Sequence, residues 1–308
     1  MTTPLINSGP PVDSIPPPQI SYVDPDGNVW PLTDLSLPNG YICTAISGVA
    51  GIPVSFSSIP MESGGAIPQL YIDQPGTIGI GLYVESQGDV NAYMRLLDQI
   101  AYAFRSVRSG VPTPGQLVVQ RQDGTTRQLN VFTVSGQDAE TDSGVTWATF
   151  TLQLQSADPF WYDLTAQEIS FIGAGSATGI LPLLPIDLST SSIFGDNIII
   201  NDGGAEAYPI WTLTGPGLPV LTNNTTGKQF GFQSALVSTQ VVQVDTRPGL
   251  QSAYDINTGA NMWSQIVKDT PRDLFSLAVG PNDISISMSG VTSNSEIDIS
   301  WYRRWLRA

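Results

Sequence analysis

The stretch Val145–Asp163, VTWATFTLQLQSADPFWYD, constrains this chain more than any other. Thr146, Ala148, Phe150, Leu152 and Leu154 fall on one side of an extended backbone; Trp147, Thr149, Thr151 and Gln153 fall on the other. Period-two alternation of this length, rich in β-branched and aromatic residues, specifies a half-buried strand. Asp158-Pro159 ends it, because proline has no N–H to give a ladder and restricts the residue before it. Phe160, Trp161 and Tyr162 follow at once, too bulky to lie in solvent within a plain linker. The stretch reads as a domain hinge clamped by aromatic side chains. The plainer reading is a strand end with a buried aromatic cluster.

On either side the patterns differ. Upstream, short strands are expected at Tyr22-Val23 and Val29-Trp30, over Gly40–Val49, over Val54–Ile59, and in two runs within Pro68–Val84 around a Gln74-Pro75-Gly76 turn. Val90, Tyr93, Met94, Leu97, Ile100, Ala101 and Phe104 then recur at three- and four-residue steps, which specifies one amphipathic helix with that stripe in the core. Ser86 or Asp89 caps its start. Arg105, on the wetter face, and Arg108 lie near its end, where cations complement the helix dipole. Asp123-Gly124 between Gln116–Arg121 and Thr126–Val134 is a strong hairpin signal, with Arg121 and Arg127 on opposite arms. Downstream, strands are expected at Asn197–Ile200, Tyr208–Thr214, Gln229–Phe232, Gln240–Val244, Asp283–Met288 and Glu296–Arg304, the spacing of an antiparallel sandwich. Arg303, Arg304 and Arg307 near the end form a local positive spot, read as charge blunting an edge strand.

Composition matters chiefly for what it excludes. A chain of 308 residues has room for two domains. A net charge of −15, carried by both halves, argues against a nucleic-acid footprint, which needs clustered cations. With no histidine there is no Ser/His/Asp or Cys/His triad and no usual zinc site. Cys43 is the single cysteine, so no intrachain disulfide is possible. No signal peptide or membrane span is expected. Asp24-Pro-Asp26-Gly27-Asn28 opens like a calcium loop, but the twelfth position is Leu35, where a bidentate Glu is needed, so it reads as a turn. Gly173–Gly179 lacks the Lys-Ser/Thr of a phosphate loop. No catalytic, metal-binding or cofactor-binding residue is expected, and no cofactor.

The order of these features, above all the ADPFWYD corner and the GPND…ISW ending, resembles the distal tail proteins of long-tailed, non-contractile bacteriophages (a siphovirus tail-component family). Tyr208-Pro209-Ile210, Asp245-Thr-Arg-Pro-Gly249, Trp263, Leu277–Asn282 and the closing WYRRW support the likeness, which covers roughly residues 20–308. It implies a mainly β fold: an extended arm over 1–20, a split β-barrel hub domain with one helix and a hairpin over 21–163, and a galectin-like β-sandwich over 164–308. It further implies a non-enzymatic virion protein of the tail tip, assembled in the host cytoplasm. That protein forms a hexameric ring with tail tube, tape measure and tail-tip hub or adhesion proteins as partners, and DNA passes through without specific binding. Arg105, Arg121, Asp123 and Arg127 are the expected ring contacts.

Two other readings compete. One is a carbohydrate-binding module for host-surface glycans, using Trp211, Tyr254 and Trp263. The other is a two-carboxylate glycosidase drawing on Asp196, Asp202 and Glu206, or on Asp138, Glu140 and Asp142. Both acid groups lie in Gly- or Ser-containing loops, where acids are normally solvated.

Overall fold

The computed structural model of the chain describes residues 18–34, 40–137, 140–172, 192–268 and 274–308. Residues 1–17 of the expected arm, Asp138 and the Gly173–Gly179 loop lie outside them. Contacts gather the chain into two units, Met1–Leu164 with Leu306–Ala308, and Thr165–Trp305.

The first unit holds β1 (Gln19–Val23), β2 (Val29–Pro31), β3 (Tyr41–Ser47), β4 (Val54–Pro60), β5 (Ala66–Asp73), β6 (Gly76–Glu85), α1 (Val90–Ala103), β7 (Val107–Arg108), β8 (Val111–Pro112), β9 (Gly115–Gln120), β10 (Thr126–Ser135), β11 (Glu140–Ser143), β12 (Trp147–Ser156) and β13 (Trp161–Asp163). Its main sheet runs β2-β1-β9-β10-β12-β6-β3, with β11 beside β12 and β13 beside β10. Closure into a barrel is not seen among the described residues. On β12 the expected inner face holds: Ala148, Leu152 and Leu154 are buried, and Trp161 follows them into the core. The Asp123-Gly124 hairpin also forms, Gly124 taking a φ of +83° that glycine alone adopts without steric cost.

Asp89, not Ser86, caps α1, its carboxylate accepting from the N–H groups of Asn91 and Ala92. Two strands flank Gln74-Pro75 as expected, but they do not pair across it, since β5 pairs with β4 while β6 pairs with β3 and β12. The reversal lies instead at Met61–Gly65. Asp24-Pro-Asp26-Gly27-Asn28 is the turn between β1 and β2. Buried Asp24 accepts hydrogen bonds from the N–H groups of Asp26 and Asn28, from the Asn28 amide and from the Trp30 indole. Burial alone would raise its pKa, but these donors outweigh it and hold the carboxyl below the ordinary value. A carboxylate so occupied is a turn-builder.

The second unit holds β14 (Gln167–Ile172), β15 (Ser192–Asn201), β16 (Ile210–Thr214), β17 (Leu218–Asn223), β18 (Lys228–Phe232), β19 (Val241–Asp245), β20 (Ser252–Asp255), β21 (Ile266–Lys268), β22 (Gly280–Ser289), β23 (Glu296–Trp301) and β24 (Arg304–Trp305). Two antiparallel sheets, β14-β23-β16-β19-β20 and β15-β22-β17-β18-β21, share one apolar core, which is the expected sandwich. Trp211 lies at its centre, edge-on to Phe230 and Phe275. The motifs that suggested the fold do local structural work here. Asn282 closes the loop before β22 by bonding both the N–H and the carbonyl of Ala278 at 2.8 Å. Asp245 turns the chain by accepting from the Arg247 N–H, while Thr246 donates to the Pro209 carbonyl.

Candidate assembly interface

The expected contact residues separate into three situations. Arg105 is exposed and lies beyond the C-cap of α1, Phe104, so it is not on the helix. The residue that returns to the helix end is Arg108, which donates to the Tyr102 carbonyl, stacks over the Tyr102 ring at 4.3 Å and pairs with Asp26 at 2.9 Å. Arg121 pairs with Asp123 at 3.2 Å within its own hairpin. Asp123 also accepts from the hydroxyl and N–H of Thr125, and these bonds, the hydroxyl's first, hold its pKa below the ordinary value. This pair borders an open cleft with Ile20, Val49, Val119 and Arg307.

Arg127 does not project, and here the expectation is corrected. It is 6% exposed and donates to the Arg307 carbonyl at 2.7 Å. Burial, then the charge of Arg121, lowers its pKa. Strand register sends this side chain inward regardless of its charge, because Arg127 faces Val119 and Asp163 on the flanking strands. The C-terminal cluster also disperses. Arg304 is buried against the Glu206 carbonyl and the Tyr208 ring, and Arg303 pairs with Asp202 at 3.0 Å.

The competing sites fare no better. Trp211 is fully buried and Trp263 half-buried, which leaves Tyr254 as the exposed member of the proposed sugar platform. Asp202 is engaged by Arg303, and Glu206 accepts from Ser276. No group of three metal-ligating side chains occurs among the described residues.

The surface that stands out is built from two strands whose sequence looks ordinary. Among the described residues β4 and β5 pair with each other alone, and every residue of both is exposed. Phe56 lies directly opposite Tyr71, and the two are 60% and 69% exposed. Val54 shares their face by the two-residue period, whereas Leu70 and Ile72 occupy the reverse face. Both faces are therefore apolar. A seven-residue strand spans roughly 24 Å, so this is a long arm, and an isolated two-stranded hairpin is marginal in water without cover. Its edges are poor templates for backbone pairing. Pro60 and Pro68 interrupt the donor rows, and a bulge separates Ser57 from Ser58.

A second uncovered surface lies on α1. The expected core stripe divides: Tyr93, Ile100 and Phe104 are buried and Leu97 is half-buried, but Val90, Met94 and Ala101 are exposed. At 3.6 residues per turn these last three project within about 40° of one another. The helix is thus apolar over a wider arc than the described residues of its own unit cover.

The comparisons with known proteins concern the fold as a whole. The chain resembles the SPP1 Dit (gp 19.1) protein, described as a paradigm of the hub adsorption apparatus in phages infecting Gram-positive bacteria. The TM-score is 0.62 at 12% identity, over 94% of this chain and 99% of that one. It also resembles a chain of the phage P2 baseplate in its activated conformation with Ca, with a TM-score of 0.53 at 12% identity over 93% of this chain and 98% of that one. In the same baseplate with Sr the TM-score is 0.55, at the same identity and coverage. No protein-family model and no curated protein matches the chain. The chain has the mainly β, two-part fold of these phage hub and baseplate proteins.

Proposed function

We propose that the chain is a structural, non-enzymatic subunit of a phage tail tip: a distal tail protein that closes into a hexameric hub ring joining the tail tube to the tip or baseplate proteins. The observation that carries this reading is the β4–β5 arm. A hairpin apolar on both faces and uncovered by the described residues of its own chain needs neighbours, and the fold in which it sits is that of proteins from phage hubs and baseplates. In a closed ring each copy offers one surface to the left and a different one to the right, which a protruding arm on one side satisfies. The net charge of −15 suits a channel that DNA crosses without sticking. Tape measure and adhesion proteins are the further partners this placement implies. The glycan reading loses its main aromatic, since Trp211 belongs to the core.

The test is the mass of the purified protein in solution, by native mass spectrometry and light scattering. A closed hexamer is expected, whereas a monomer at every concentration overturns the hub reading. The same reading assigns residues 21–163 to the ring and 164–308 to a separately folded sandwich. Calorimetry should then show two unfolding transitions, with Trp211→Ala lowering only one of them.

A further inference from the structure

We propose that in the assembled ring the aromatic face of the β4–β5 arm lies on the exposed flank of α1 of the next copy. This inference rests on the hub-ring reading and names the seam within it. Both surfaces belong to the same unit and both are apolar. They are also similar in length: the flank from Val90 to Ala101 runs about 16 Å along the helix axis, and one strand of the arm covers it.

Charge favours the pairing. Residues 1–94 contain no Lys or Arg at all, and the arm carries Glu62 at its tip and Asp73 at its base. The first cation of the chain is Arg95, exposed on α1, and exposed Arg105 lies just past the helix end; Asp89 and Asp98 are the acids on the same helix. With two acids and two arginines the stretch 89–105 is neutral, so a second copy offers the acidic arm cations without net repulsion. A partner as acidic as the arm would not. Side-chain chemistry chooses the face, because the thioether of Met94 is suited to contact the Phe56 and Tyr71 rings.

The experiment uses the full chain with Cys43→Ala, so that introduced thiols stand alone. Phe56→Cys and Met94→Cys are made in separate chains, then mixed and oxidised under mild conditions. If the seam is as proposed, the mixture gives covalent dimers at least about tenfold faster than either chain alone, because the contact raises effective concentration. A chain carrying both changes gives a ladder ending in a closed species. Leu70→Cys replaces Phe56→Cys as the control and should link to Met94→Cys no faster than background. Both positions are exposed, so the subunit keeps its fold, which a thermal melt verifies. A hexamer that forms without the Phe56–Met94 link, or that links through Leu70 instead, overturns the seam and leaves the ring intact. A monomer overturns both.

Discussion

Gly115→Ala probes whether the first unit is packed as tightly as its geometry indicates. A Cβ at Gly115 would stand 2.2 Å from the Tyr22 hydroxyl and 2.5 Å from two of its ring carbons. Tyr22 has nowhere to go. It is fully buried, stacked on Phe104 with ring centroids 4.3 Å apart and planes within 8°, and its hydroxyl donates to the Ala103 carbonyl at 3.3 Å. Burial, with the charge of Asp24 adding to it, raises the pKa of that hydroxyl well above the ordinary tyrosine value, so it stays a donor at any working pH. Forcing an extra methyl into such a core costs about 1–3 kcal/mol. Displacing the hydroxyl loses a hydrogen bond worth about 1 kcal/mol. The variant should be about 2–4 kcal/mol less stable, by urea unfolding followed through fluorescence. Tyr22→Leu removes every atom of the clash, so the double variant should lie about 1–3 kcal/mol closer to the parent than the two single changes predict. If Gly115→Ala stays within about 0.5 kcal/mol of the parent, or the two changes are strictly additive, the packing argument is wrong.

Other consequences are smaller and separately measurable. Replacing both Phe56 and Tyr71 by Ser removes about 120–140 Å² of exposed apolar surface at each, at roughly 200 Å² per aromatic side chain and the exposures given above. At about 25 cal/mol per Å², even half of that lost at each seam raises the dissociation constant about a hundredfold, while the melting temperature of the isolated subunit should barely move. Loss of subunit folding would instead show that the arm is part of a core. Asp24→Asn should destabilise the protein by about 1–3 kcal/mol near neutral pH. Because the folded carboxyl titrates below its ordinary value, its contribution is complete above about pH 4 and is lost as the pH falls further; parent and variant should therefore converge in acid, and a constant gap would exclude Asp24 as the cause. Asp89→Ala leaves two N–H groups of α1 unbonded and should cost about 1 kcal/mol, a loss that Asp89→Ser restores in a thermal melt.

What was legible in the sequence had a period. The inner face of β12, the Asp123-Gly124 hairpin and α1 all follow from spacing, since one wrong residue in those patterns would expose apolar surface. β17 was not legible, because Pro219 breaks its strand signal. The structure tolerates Pro219 because pairing with β18 begins only at Val220. Arg127 misled because a charge read in isolation points outward, whereas its burial is decided by register against strands far away in sequence. The arm and the helix flank share a cause. Their apolar residues follow the rules of buried elements, but no described residue of the chain covers them. Val90, Met94 and Ala101 have the spacing of core residues, yet the structure leaves them exposed.

The pairing of β6 has a consequence for synthesis. β6 receives β3 on one edge almost as soon as it is made, but its other edge waits for β12, with Glu85 meeting Trp147. That interval is 62 residues (147 − 85) of chain, roughly 3–12 seconds at ribosomal speeds of about 5–20 residues per second. Throughout it the arm is exposed beside a half-built sheet. Pro53, Pro60, Pro68 and Pro75 punctuate this exposed window. By denying a second chain an unbroken row of donors, they hinder the fibre-like stacking that such an apolar ribbon invites.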